Sequence, residues 1–295
     1  MAIFKGAGVA IITPMNEDGS INYEEFARMI DWQIREGTDA IIAVGTTGEA
    51  PTLDDDEHLE AIRVAVEAAK GRVPVIAGTG SNNTAHAVMM TKESEKLGAD
   101  AVLLVTPYYN KATQKGLMEH YKVIAECSSL PCILYNVPSR TGCNLLPETA
   151  AWLGKNVKNV AAVKEATGNI SQVARLIELA DGSLDVYSGN DDQIIPLCSL
   201  GGVGVISVLS NVAPRKTHEL TQACLDGDYA KAAKMQIEAL PLCRELFSEV
   251  NPIPVKAAMN ILGWKAGLPR LPLTELGEDH KVSLEKALRE YGCMK

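Results

Sequence analysis

The chain has few aromatic residues (5%), five histidines in 295 residues, and no C-x-x-C pair among its seven cysteines. Each scarcity removes a class of function. His58, His86, His120, His218 and His280 are dispersed without ligand spacing, which disfavours metal-dependent chemistry. Cys127, Cys132, Cys143, Cys198, Cys224, Cys243 and Cys293 are odd in number and scattered, as suits free thiols in a reducing compartment. No G-x-G-x-x-G or G-x-x-x-x-G-K-[ST] loop occurs, so no metal and no cofactor is expected. The apolar run near the N-terminus stops at Pro14, too short and too poorly flanked for a signal peptide, and no run reaches membrane-spanning length. Lys and Arg total 28 against 37 Asp and Glu, a formal net charge of -9, and no basic cluster stands out. A nucleic-acid binder must neutralise phosphates with such clusters, so neither nucleic acid nor membrane is an expected partner. A cytoplasmic location is expected.

What the chain does contain is 46% hydrophobic residues in short β-branched runs. They lie at Val9 to Thr13, Ala40 to Thr46, Val73 to Thr79, Ala101 to Thr106, Pro131 to Val137, Val160 to Thr167, Leu184 to Gly189 and Val203 to Ser210. Continuous apolarity is what a parallel strand covered on both faces shows, and the spacing of roughly 20 to 35 residues is that of a βα unit. Eight units predict a closed α/β barrel, (β/α)8, of the TIM type. Between them stand helix starts at Leu53 to Glu57, Asn83 to His86 and Pro147-Glu148, with Gly37, Gly71 and Gly98 as stops. The glycines of Gly201-Gly202-Val203-Gly204 precede the eighth run and read as a helix-ending turn. From about Asp226 only helical patterns follow, at Tyr229 to Val250, Pro254 to Leu262 and Ser283 to Tyr291. The expected organisation is a catalytic barrel over 1–225 and a C-terminal helical domain over 226–295.

Barrels of this kind place chemistry at the carboxyl ends of their strands. Lys164 follows Val160-Ala161-Ala162-Val163, so its stem leaves an apolar strand; desolvation there lowers the amine pKa and yields a nucleophile for a carbonyl. A lysine in that position also fits an ion pair with Glu165, or a stem snorkelling to solvent. Gly45-Thr46-Thr47-Gly48 offers backbone N–H groups and two hydroxyls suited to a small carboxylate such as that of an α-keto acid, or is a structural turn. Tyr135 can exchange a proton beside an imine, or be a core-edge tyrosine. Arg140, on the loop after the fifth strand, can grip a carboxylate bidentately, or be an exposed loop residue. The adjacent Tyr108 and Tyr109, in so aromatic-poor a chain, point to an interface or a site.

Taken together, G-T-T-G-E at 45 to 49, T-P-Y-Y-N at 106 to 110, Y-N-V-P-S-R-T-G at 135 to 142, V-K-E-A at 163 to 166 and G-V-I-S-V at 204 to 208 closely resemble the dihydrodipicolinate synthase and N-acetylneuraminate lyase family over essentially the whole chain. The resemblance implies that Lys164 forms a Schiff base with pyruvate, that Tyr135 donates protons, and that Thr46, Tyr135 and Tyr109 form a proton relay. It implies further that Thr47 and the backbone near Ile206 hold the pyruvate carboxylate, and that Arg140 receives the carboxylate of aspartate semialdehyde with Gly189 close by. Arg140 and the paired threonines look like the synthase branch, as sialic-acid lyases usually carry a serine before the position of Thr47 and no such arginine. In relatives the residue matching Tyr109 enters a neighbouring subunit's site, so a homodimer, usually paired into a homotetramer, is implied.

Lysine-inhibited relatives bind their effector at the dimer interface through positions that here are Ala50, Pro51, Asp55, His58, Asn82, His86 and Tyr108. Asp55 stands where a histidine is typical and His86 where a glutamate is typical. The usual acid partner of an α-ammonium is therefore missing, and lysine feedback is not expected. Two competing readings are an aldolase of sugar acids within the same family and a non-catalytic effector-binding barrel, since fold does not fix function.

Overall fold

The computed structural model describes residues 2–294. Eight parallel strands close into a barrel in sequence order: β1 (Gly6–Ala10), β2 (Ala40–Ala43), β3 (Val75–Gly78), β4 (Ala101–Val105), β5 (Cys132–Asn136), β6 (Val160–Glu165), β7 (Asp185–Ser188) and β8 (Gly204–Ser207), with β1 pairing β8. Seven of the predicted runs contain their strand, and the first, Val9 to Thr13, overlaps β1 only at Val9 and Ala10. Their limits differ from the apolar pattern for local reasons. The first strand starts earlier than Val9, at Gly6, because the barrel needs glycine there. A Cβ on Gly8 would meet Ile42 Cδ1 at 2.7 Å and the Phe4 ring at 2.8 Å, so residues of low strand propensity are the ones that fit. The second strand stops at Ala43, since Val44 turns to φ 49, a costly conformation for a β-branched residue. The 45–49 segment is thereby released from the sheet as a loop.

The helices begin where their caps sit. Asp54 and Glu57 form a capping box on the helix Asp55–Ala69, Asn83 caps Thr84–Lys96, and proline opens Pro147–Asn156. Gly37, Gly71 and Gly98 follow helix ends with φ of 95, 67 and 87, the left-handed turn that favours glycine. Apolar side chains fill two shells. Ile42, Ile76, Leu103, Ile133, Tyr187 and Ile206 point into the barrel, and a larger cluster lies between strands and helices. Phe4 stacks on Tyr187 with ring centroids 4.4 Å apart, and the Tyr187 hydroxyl donates to the Phe4 carbonyl at 2.7 Å, plugging the amino-terminal end.

After the helix Pro214–Leu225 come Tyr229–Glu245, Ile253–Ile261 and Glu278–Glu290, the C-terminal helical extension. Residues 251–270 reach back to the carboxyl-end face of the barrel. There Lys256 pairs with Glu49 at 2.7 Å with both side chains buried, and Arg270 grips Glu57 through two nitrogens at 2.6 and 2.5 Å. Among the described residues no helix is long and apolar enough to cross a membrane.

Candidate active site

Strand register brings Tyr135 of β5 opposite Lys164 of β6, and the two-residue period of each strand turns both side chains inward. Lys164 is 6% exposed, and its Nζ lies 4.2 Å from the centroid of the Tyr135 ring. Glu165, one residue on, faces the other way, where Asn136 Nδ2 and the Thr167 N–H donate to its carboxylate at 3.3 and 2.9 Å. The alternative of a Lys164–Glu165 ion pair is therefore not realised. Burial holds the Lys164 amine down at about 7 from its ordinary 10.5; Asp191 opposes that shift and Arg140 assists it. A ring face favours a desolvated ammonium by about 2 kcal/mol, whereas a fall from 10.5 to 7 corresponds to roughly 5 kcal/mol, so desolvation wins. Half of the amine is thus neutral near pH 7.

The Tyr135 phenol is pushed up by burial and drawn down by the charge of Arg140 and a hydrogen bond with Thr46. It stays protonated as the amine titrates, which makes it a proton donor. Gly189 supplies space: a Cβ there would meet Ala166 Cβ at 2.6 Å and Lys164 Cε at 3.2 Å, so the lysine stem runs where another residue would stand. Ile206 is fully buried inside the barrel on β8. The hydroxyl of Thr47, buried in the 45–49 loop, accepts from Asn251 Nδ2 at 3.0 Å. Arg140 sits on the single helical turn Pro138–Thr141 and donates from Nη2 to the Asn251 carbonyl at 3.0 Å.

Thr46, Tyr135 and Arg140 line one cavity of about 360 Å³, and Pro51, His58, His86 and Tyr108 line the same cavity. These expected catalytic and effector residues thus share one opening, whereas Lys164, Thr47, Ile206, Gly189 and Tyr109 are not among the residues that line it. Asn82 braces it from behind, donating to the Tyr108 carbonyl at 3.1 Å. His58 Nε2 donates to the Gly78 carbonyl at 2.8 Å, and burial lowers its pKa. Asp55, also in the lining, lies 2.8 Å from His86 Nε2, so an acid is present here but is engaged with the histidine. Tyr109 does not join Thr46 and Tyr135 within the chain. It is 93% exposed with φ 68, a strained conformation that projects the phenol outward.

Three groups at the mouth escaped the sequence reading. Asp191, 3% exposed, accepts from Ser207 Oγ at 2.5 Å and from the Val208 and Leu209 N–H groups at 3.0 and 2.8 Å, fixing the turn after β8. It follows the seventh strand in Gly189-Asn190-Asp191, so the strand-end criterion that found Lys164 could have found it. Asn251 and Lys256 come from the helical extension, and neither residue type nor spacing ties them to a loop some 200 residues earlier.

A closed (β/α)8 barrel that sets a desolvated amine against a phenol at its carboxyl-end mouth defines a lyase-type barrel enzyme. The chain belongs to the dihydrodipicolinate synthetase family, whose model matches residues 3–291. It is 57% identical to 4-hydroxy-tetrahydrodipicolinate synthase of Lachnoclostridium phytofermentans, over 100% of both chains. Identity to the enzyme of that name from Thermoanaerobacter sp. is 55%, over 100% of this chain and 99% of the relative. Among solved structures it matches the dihydrodipicolinate synthase of Acinetobacter baumannii complexed with pyruvate, with TM-score 0.96 and 44% identity over 98% of this chain and 99% of that one.

Proposed function

We propose that this enzyme condenses pyruvate with L-aspartate 4-semialdehyde to 4-hydroxy-tetrahydrodipicolinate, the compound in its relatives' name and a precursor of diaminopimelate and lysine. The observation that carries the reading is the buried Lys164 amine, 4.2 Å from the centroid of the Tyr135 ring and with its pKa lowered by burial to about 7. The amine attacks the ketone of pyruvate, Tyr135 passes a proton to the departing hydroxyl, and water leaves as the imine forms. Loss of a methyl proton gives the enamine, whose carbon adds to the aldehyde. The semialdehyde's own amine then displaces Lys164 and closes the ring, returning the free amine. The protonated imine is itself the electron sink, so the cycle calls for no metal and no cofactor.

In this reading Thr47 and the backbone at Ile206 hold the pyruvate carboxylate, Arg140 takes the carboxylate of the second substrate, and Gly189 keeps space beside the lysine stem. Arg140 is also what favours the semialdehyde over sugar acids: a short carboxylate matches a guanidinium fork, while a polyol wants neutral partners. The enzyme acts in the cytoplasm. Incubation with pyruvate and borohydride should add a stable mass to the peptide carrying Lys164, and turnover should require aspartate semialdehyde. An adduct of the same yield in Lys164→Ala would overturn the assignment.

Tyr109 completes the relay of a second subunit, in a homodimer paired again as a homotetramer. The strained, outward phenol supports this, since strain at an exposed residue needs a purpose elsewhere. Tyr109→Phe and Tyr135→Phe should each lose activity by about 10² or more. Mixing the two variants after dissociation should restore about a quarter of wild-type activity, because half the dimers are mixed and one of their two sites is intact. No restoration would show that Tyr109 does not act across subunits.

A further inference from the structure

Asn251 stands between the helices Tyr229–Glu245 and Ile253–Ile261, in a part of the chain that contributes no other side chain to the proposed carboxylate contacts. It is 5% exposed. Its two polar ends go to two different substrate-binding residues: Nδ2 donates to Thr47 Oγ1 at 3.0 Å, and its carbonyl accepts from Arg140 Nη2 at 3.0 Å. Its Oδ1 is buried and has no donor among the described residues, so the amide is held through Nδ2 alone. A donor on the Thr47 oxygen leaves that hydroxyl's own proton free to point at a ligand. A carbonyl on one Arg140 nitrogen fixes the plane of the guanidinium while its remaining N–H groups stay available.

We propose that Asn251 is a positioning residue that links the two substrate carboxylate subsites, aiming the Thr47 hydroxyl with its side chain and the Arg140 fork with its main chain. The inference rests on the reading of Thr47 and Arg140 given above. Its content is the link: the side-chain bond to Thr47 is also what anchors the carbonyl that receives Arg140. Weakening that bond from either end disturbs both substrates, although Thr47 is on the keto-acid side and Arg140 on the aldehyde side.

The test is a steady-state cycle on the full-length enzyme with Asn251→Ala, Thr47→Val and the double variant. Asn251→Ala should raise the KM of pyruvate and of aspartate semialdehyde by about tenfold each, with kcat changed by less than about threefold. Thr47→Val should also raise the semialdehyde KM. Adding Asn251→Ala to it should change neither KM by more than about twofold, because the anchor is already gone. Asn251→Asp, close in size but without the donor, should act at least as strongly as alanine and carries the same test if the alanine variant is poorly folded. Unchanged KM values in both Asn251 variants, an effect on one substrate only, or additive effects in the double variant would overturn the link. Wild-type turnover and borohydride trapping at Lys164 are measured alongside. Their failure would end the functional reading, whereas their success with unmoved KM values would end this inference alone.

Discussion

Lys164→Met should abolish turnover and at the same time stabilise the fold. The two effects share one cause. An amine with an ordinary pKa of 10.5 is held at about 7 by burial, so below pH 7 the folded chain carries an ammonium that the unfolded chain would solvate better. The sign follows from proton counts. Between pH 7 and 10.5 the unfolded state binds more protons at this site than the folded state, so stability rises with pH across that window and is poorest below it. Methionine matches the unbranched stem and has no charge to desolvate. The gain at pH 6 should be of the order of 3–5 kcal/mol, several degrees in thermal midpoint, and should shrink towards pH 10. Thermal denaturation of both proteins from pH 6 to 10 checks it, with activity followed on the same samples. A variant no more stable than wild type at pH 6 would mean that the amine is not held against its solvation preference.

This placement of Lys164 was readable because it depends on local pattern. Four apolar residues before a lysine at a strand end describe a stem leaving a buried strand, and the structure adds only the register that sets it beside Tyr135. The eight strands were readable for the same reason, yet their limits were not. Gly6 and Gly8 carry no strand signal and enter β1 because neighbouring side chains leave room for nothing larger, a tertiary constraint. Val44 shows the converse: a strong strand former lies outside β2 because the loop after it must turn. Long-range partners such as Asn251 for Thr47 were out of reach, since a single asparagine before a proline is ordinary loop chemistry until folding gives it a neighbour. Tyr109 lies between these cases. Its type and place on a loop marked it as exposed for a reason, but one chain cannot show what it meets.

The same long-range ties give the second large effect, at Glu49 and Lys256. The two side chains are 1% exposed each and 2.7 Å apart, and the pair is closed by the Leu268 carbonyl on Lys256 and the Arg270 N–H on Glu49, at 3.0 and 2.8 Å. Burial lowers the Lys256 pKa and the Glu49 charge opposes that, so the ammonium depends on its carboxylate. Removing either partner alone leaves an uncompensated buried charge. Lys256→Met and Glu49→Gln should each destabilise by about 3–5 kcal/mol, while the double variant should recover most of that loss. Urea denaturation of the four proteins measures the coupling, and additive losses would show that the pair does not act as a unit. The pair also carries a functional load. Glu49 ends the loop holding Thr46 and Thr47, and Lys256 belongs to the helix that follows Asn251, so the ion pair sets the distance between that loop and the extension. Lys256→Met should therefore raise the pyruvate KM even at temperatures where it is fully folded. The double variant, stable but without a directed charge at this contact, should regain stability more completely than it regains affinity. Equal recovery of both would reduce the pair to a stabilising contact with no part in shaping the site.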